Sequence, residues 1–477
     1  MTIMSDLSSI LGADGVSDDA QVLEQYSGDS SFVQPRRPNC VAYAKDASEV
    51  QKVVKYANDH HIPVTPRSSA VSFYGAGIPG EGGIILDCSK MNKIMEINDR
   101  DRFVRVEPGV TWQQLQTELD KVGMFVPAPL QVHPQKSVLT STMEREPNLI
   151  PKYEYNETYL TSEMVMPNGD MFWTGSAIGK GHNDGINPEG VIPSSRLFVG
   201  AQGTLGVATW GTMRAFYKPT VSRIYFIACD KIEDVVEPSY QILRVRLGSE
   251  YLILNNAQLA ALLAKDESQY AQLRDKLPNY TIVACLCGLN RRADEKIAYE
   301  DEALQEIASR EQFDLHNTVA GIANLQEIFE QLMRQPWSGQ GTYWKFISKG
   351  ARHDIFFQAT LDRVPEFTAA VCQVAAKYRY PLPDMSVYIQ PKEAGRVCYC
   401  EYGFGCDPDN EQECDRIKAL YMEASERVFN MGGLFSNPYG AWSDMVYSRA
   451  TAYVSTLKTV KQIFDPNNIL NPGKLCF

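Results

Sequence analysis

One stretch constrains the fold more than any other: Pro66-Arg67-Ser68-Ser69-Ala70-Val71-Ser72-Phe73-Tyr74-Gly75-Ala76-Gly77, followed by Gly82-Gly83-Ile84-Ile85-Leu86-Asp87. A strand-like run, Ile62 to Val64, enters it and another, Ile84 to Leu86, leaves it. Between them Ser68 to Ser72 are all small or β-branched. Such a loop can turn several backbone N–H groups toward one anion, as a nest does for pyrophosphate. Small side chains let the backbone itself touch the ligand. Read alone, the segment is equally a long surface turn between strands.

The surrounding chain decides what frame could hold that loop. At 477 residues it exceeds what a single core serves, so two domains are expected. Residues 1 to about 218 alternate short helices and strands. Asp46 with Glu49 caps a helix whose apolar face is Val50, Val53, Val54 and Ala57. Thr111 with Gln114 opens a second helix carrying Trp112, Leu115 and Leu119, stopped near Gly123. Lys218-Pro219-Thr220 marks a boundary. Beyond it, strands are expected at Ile224 to Ala228, Thr281 to Leu286, Ile355 to Gln358, Met385 to Ile389 and Val397 to Tyr402. Interleaved helices at Val235 to Leu243, from Ala293 and from Val364 to Tyr378 suggest an antiparallel sheet covered on one face.

A net charge of −12 repels phosphate backbones and argues against nucleic acid as a partner. Met1 to Asp6 carries no basic patch followed by an apolar run, so no secretory signal is expected. No stretch approaches the roughly 18 apolar residues of a membrane span. Eleven cysteines scattered through a long chain suit a reducing compartment, and the expected location is the cytoplasm.

Three further motifs fall in order around the loop. They are Tyr26-Ser27-Gly28-Asp29, Leu197-Phe198-Val199-Gly200-Ala201-Gln202-Gly203-Thr204-Leu205-Gly206-Val207, and Phe464-Asp465-Pro466-Asn467-Asn468-Ile469-Leu470-Asn471-Pro472-Gly473-Lys474. With the loop, they resemble the FAD-linked oxidases of the vanillyl-alcohol oxidase / p-cresol methylhydroxylase superfamily from near residue 20 to the C-terminus. Where that family has Pro-Arg-Gly-Gly-Gly-Thr-Ser, this chain has Ser68, Ser69, Ala70 and Val71 in place of the three glycines and the threonine.

The resemblance implies an α+β fold. A two-subdomain FAD-binding domain would span residues 1–218, an antiparallel-sheet cap over the substrate 219–430, and a C-terminal segment 431–477 would return to complete the flavin site. It implies FAD as cofactor, its pyrophosphate held by backbone amides of Arg67, Ser68, Ser69, Ala70, Val71 and Ser72, with the later Gly75. Ser137, Thr140, Ser141 and Thr142 stand in a second contact strip. Gly203, Gly206 and Val207 would lie near the adenine, and Asn471 and Lys474 near the ring. No histidine stands in the loop or late in the cap, so non-covalent FAD is expected, with a tyrosyl link left open.

The catalytic end departs from relatives that oxidise D-2-hydroxy acids. Their histidine-rich metal motif would fall near Gln390 to Cys400, and no histidine follows His353, so no metal is expected. Their second element would fall at Ser436-Asn437-Pro438-Tyr439-Gly440, which makes Tyr439 the foremost substrate-contacting candidate. Arg396, as an anion clamp, and Trp442, Tyr447 and Arg449, as cavity lining, complete the set. Alternate cysteines Cys285 and Cys287, and Cys398 and Cys400, read as small core residues rather than cluster ligands.

The expected activity is hydride removal from an alcohol or hydroxylated carbon of a small substrate, aromatic or acidic. A metal-dependent D-2-hydroxy-acid dehydrogenase and a non-catalytic electron-relay subunit are the alternatives. Oligomeric state is left open, as is whether oxygen, an electron-accepting protein or an iron–sulfur subunit takes the electrons.

Overall fold

The computed structural model describes residues 3–69, 71, 73–154, 158–178, 186–187 and 193–477. Short, fully apolar runs cannot sit at a wet edge, and here they form a buried parallel core. Cys40–Tyr43, Ile84–Asp87 and Val64–Arg67 pair in parallel in that order, with Val16–Ser17 antiparallel at the outer edge. Helix Ala47–Asp59 lays Val50, Val53, Val54 and Ala57 against this sheet, and Asp46 Oδ1 accepts from Glu49 N at 2.9 Å to start it. The open edge at Val64 is closed by the far end of the chain. Val64 N donates to Ile469 O at 2.7 Å, and Asn471 N donates to Val64 O at 2.8 Å.

A second sheet is antiparallel, in the order Ile94–Asn98, Phe103–Val106, Val207–Arg214, Tyr159–Val165, Met171–Trp173. Thr111 Oγ1 accepts from Gln114 N at 3.2 Å, and the helix it opens, Trp112–Asp120, packs Trp112, Leu115 and Leu119 into that sheet's core. The two sheets face each other across the loop that follows Arg67.

The third sheet has six antiparallel strands in the order Val221–Cys229, Tyr280–Gly288, Glu250–Asn255, Ser386–Lys392, Val397–Cys406, Ala351–Ala359. Its middle strands are buried on both faces rather than on one. Phe357 packs on Phe367 of helix Val364–Lys377 at 4.9 Å between ring centres. On the opposite face Phe226 meets Phe329 of helix Leu325–Arg334 at 5.2 Å. The remainder of that second face, from Arg352 to Phe356 and across to Tyr388, looks into a cavity over the N-terminal half. Among the described residues no helix is long and apolar enough to cross a membrane.

Candidate active site

A cleft with about 1010 Å³ of free space, its open mouth included, runs between the first two sheets. One wall is the loop, at Pro66, Arg67, Ser68, Ser69 and Val71; the facing wall is helix Val138–Met143, through Leu139, Thr140 and Met143. The backbone N–H groups of Ser68, Ser69 and Val71 find no acceptor among the described residues. Unpaired amides in a loop that lines a cleft suit an anion.

The side chains that replace glycine in this loop are tied off sideways. Ser68 Oγ and Thr140 Oγ1 share a hydrogen bond, and Ser137 N donates to Ser69 Oγ at 3.2 Å. The Arg67 guanidinium lies over the Tyr26 ring, 4.7 Å from its centre, and Tyr26 donates to Asp87 Oδ2 at 2.6 Å. Ala70 and Ser72 lie outside the described residues.

Of the second strip, only Thr140 reaches the cleft. Ser137 caps the short helix, accepting from Thr140 N and donating to Pro108 O. Ser141 donates to Glu146 and Thr142 to Val138 O, so both side chains are spent inside the protein. The floor is glycine for want of room. A Cβ on Gly203, which has φ +70°, would sit 2.6 Å from Pro66 Cγ, and one on Gly206 3.2 Å from Met164 and Phe198. Val207 lines the same floor.

Gly75 stands behind the loop instead of in the cleft. Its N–H donates to Asp29 Oδ2 at 2.8 Å, and its carbonyl accepts from Lys474 Nζ at 2.8 Å. Burial brings the Lys474 ammonium down to about 8. Asn471, left-handed at φ 44°, does line the cleft and donates to Gln202 O at 2.7 Å. Gln202 is also left-handed, and its Nε2 donates to Pro438 O at 3.1 Å. The tail, the cleft floor and the Tyr439 loop are therefore linked. An elongated cleft with small walls, spare amides and a glycine floor fits FAD.

A second cavity adjoins the cleft beneath the third sheet. Its walls are rings: Phe73, Tyr74, Tyr343, Phe356, Tyr388, Tyr399 and Tyr439. Tyr439 is buried and stacks on Tyr74 at 5.4 Å and 14°. The partition between cleft and cavity is the segment after the short helix. Glu144 faces the cleft, while Arg145 and Glu146 face the cavity. Burial pushes the Glu144 carboxyl up to about 7, and Lys136, 3.9 Å away, offsets this only in part. Asn437 donates to the Glu144 carbonyl, and its own Oδ1, buried in the cavity wall, has no partner among the described residues.

The Tyr439 hydroxyl stays protonated, since burial first, then the charges of Glu144 and Glu146, hold it well above the ordinary phenol range. Held protonated, it has a hydrogen to donate. The four other candidates lie elsewhere, Tyr447 in a hollow along the last helix with Thr451 and Val454. Arg396 is exposed and donates to Glu393 O at 3.0 Å. Trp442 is core, with its N–H on Ser425 Oγ at 2.9 Å and its ring on Phe356 and Phe435. Arg449 is on the surface beside Asn430 and Glu426. Sequence reasoning missed Glu144, Arg145, Asn437 and Lys392. The available signal was the charged run Glu144-Arg145-Glu146 directly after the small-residue strip.

Among the described residues one grouping has metal-ligand spacing, Glu250 with Cys285 and Cys287. Arg334 already fills it, 3.0 Å from Cys287 Sγ and 3.3 Å from Glu250 Oε1. It lies outside both cavities.

Residues 38–175 match the FAD binding domain family, and residues 358–475 match the C-terminal domain of FAD linked oxidases. The chain belongs to the FAD-linked oxidases. This FAD-linked oxidase is 23% identical to the glycolate oxidase subunit GlcD of Bacillus subtilis (strain 168), over 94% of this chain and 91% of that one. It is 24% identical to the 4-cresol dehydrogenase [hydroxylating] flavoprotein subunit of Pseudomonas putida, over 98% and 93%. Its fold matches p-cresol methylhydroxylase with substrate bound at a TM-score of 0.84 and 20% identity, covering 99% of this chain and 96% of that one. The protein is an FAD-dependent oxidoreductase, and FAD supplies a hydride acceptor when bound.

Proposed function

We propose that this enzyme removes a hydride from a hydroxylated carbon of a small aromatic substrate seated in the ring-lined cavity, with FAD bound non-covalently. The observation that carries the reading is Glu144, a half-buried carboxyl with a near-neutral pKa on the cleft side of the partition that separates the FAD cleft from that cavity. A general base works best when its pKa lies near the working pH. Glu144 takes the hydroxyl proton as the carbon–hydrogen bond breaks, while the Tyr439 hydroxyl donates to the substrate oxygen and steadies its developing charge. Asn437 Oδ1 offers an acceptor in the same wall. The rings of Tyr74, Phe356 and Tyr399 hold a flat substrate and exclude water.

Two kinds of relative bear on the substrate: one is named for 4-cresol and others for glycolate and D-lactate. The aromatic walls favour the former. Among the described residues no histidine or tyrosine lines the cleft, which supports non-covalent FAD. The test is anaerobic bleaching of the purified flavoprotein by benzylic alcohols, aryl hydroxy acids and D-lactate, after acid treatment has released the flavin from a parallel sample. Rapid bleaching by an aromatic member is expected. Bleaching by D-lactate alone would transfer the enzyme to the hydroxy-acid reading.

A further inference from the structure

The cavity beneath the cap sheet holds more positive charge than negative. Lys136 is paired with Glu146. Lys345 and Arg352 are paired with Asp354 and Glu401, at 2.5 to 3.1 Å. His133, half-buried in the wall, is held neutral by burial and by the neighbouring Lys136. Two cations remain. Arg145 and Lys392 both line the cavity, and neither has an ion pair or hydrogen bond from its side chain among the described residues.

Lys392 is 4% exposed at the end of strand Ser386–Lys392, on the face that carries Tyr388. The nearest acid acting on it is its chain neighbour Glu393, and Arg145 acts against it. An unpaired buried ammonium is unfavourable unless a partner arrives. Burial has already brought it down to about 8. The backbone that aims these groups is strained as well: Arg145 is left-handed at φ 54°, and Glu393 and Ala394, directly after Lys392, at 51° and 56°. Strain of this kind collects where a ligand is held.

We propose that exposed Arg145 and buried Lys392 form a carboxylate subsite, so that the substrate is an aryl carboxylic acid bearing the oxidised hydroxyl. This rests on the reading that an aromatic substrate occupies the cavity. Two cations suit two oxygens with several lone pairs; a phenolate offers one oxygen. Binding also supplies the missing negative charge, so the anion carries Lys392 in its protonated form. Affinity then falls as pH rises through about 8, where the empty site loses that proton.

The FAD-loaded enzyme tests this without its true substrate. Benzoate, benzamide and 4-nitrophenolate are titrated against the visible flavin spectrum. Benzoate is expected to bind at least about ten-fold tighter than benzamide, the usual scale for a hydrogen-bonded charge, and tighter than the phenolate. Lys392→Met and Arg145→Met each weaken benzoate by about ten-fold or more and leave benzamide within about two-fold. Lys392→Arg restores benzoate, and Lys392→Met removes the decline above pH 8. Equal affinity for benzoate and benzamide in the unaltered enzyme overturns the subsite, whatever the variants do. Tighter binding of 4-nitrophenolate than benzoate overturns the carboxylate in favour of a phenolate. If benzoate is selected yet no aryl hydroxy acid bleaches the flavin, the subsite stands and the proposed reaction fails.

Discussion

In the proposed reaction Glu144 and Tyr439 divide one task according to their surroundings. Burial raises both, but from different starting points: the carboxyl arrives near neutrality, whereas the phenol moves far from it. Flavin reduction should therefore climb with pH through about 7 as Glu144 loses its proton. Glu144→Gln should lower the reduction rate by about 10²- to 10⁴-fold and flatten that climb, with FAD content unchanged. The stability sign is opposite. A carboxyl whose folded pKa lies above its unfolded value favours the folded state less as pH rises from the ordinary carboxylate range to about 7. Urea unfolding at pH 5 and pH 8 should then show that Glu144→Gln gains stability relative to the parent at the higher pH. Tyr439→Phe removes one neutral donor and should slow reduction by about ten-fold, not by the larger factor of a lost base. A full-rate Phe variant in stopped-flow would leave Tyr439 a packing residue. Position in the chain made Tyr439 readable. Glu144 was not, because its role depends on a partition that exists only once the cleft and the cavity are side by side.

Among the elements, the sheet beneath the cap is built around charge as much as around apolar packing. Arg352, Asp354, Lys345 and Glu401 form a closed group, each nearly buried and each paired twice or more. Burial alone would raise Asp354, but Arg352 and Lys345 outweigh it and bring it down to about 2. Asp354→Asn leaves two cations facing one carboxylate, and should cost about 3–5 kcal/mol in denaturant unfolding at pH 7. Its contribution is present above the ordinary aspartate range and lost as pH falls toward about 2, so parent and variant should converge in strong acid. A cost below about 1 kcal/mol would mean that water reaches the group. These strands were read in part. Ile355 to Gln358 and Val397 to Tyr402 were found but are longer, Ala351–Ala359 and Val397–Cys406, since the extra residues bring in charges and glycines that pair only inside the sheet. Glu250–Asn255 was missed, because six buried residues in a row show no alternation. Val207–Arg214 was not read as a strand, since the motif that ends at Val207 was read only for its resemblance.

Across the whole molecule, the chain closes on itself to make the FAD site. Motifs at both ends were readable, but no local pattern says that Val64 pairs with Leu470, or that Thr65 donates to Asn471 across 406 residues. The tail is anchored by Lys461, buried at the end of the last helix. Its Nζ donates to Thr204 O at 2.7 Å, to Asp465 Oδ2 at 2.6 Å and to Leu470 O at 2.9 Å. One ammonium thus ties the cleft floor to the returning segment, and Asn471 and Lys474 then reach the floor and the loop. If this closure builds the cofactor site, FAD binding and tail docking are coupled, and each stabilises the other through the folded state alone. A ligand at about a thousand times its Kd stabilises by about 4 kcal/mol, so added FAD should raise the melting temperature of flavin-free protein by several degrees. Lys461→Met leaves Asp465 and two carbonyls without their cation, which should loosen the tail and abolish most of that rise. Ending the chain before Asp465 should abolish it entirely, while the cap sheet, which takes no strand from the tail, keeps its far-ultraviolet signal. Calorimetry of the three proteins with and without FAD decides the matter. An undiminished shift in the shortened chain would mean that the cleft binds its cofactor without the tail.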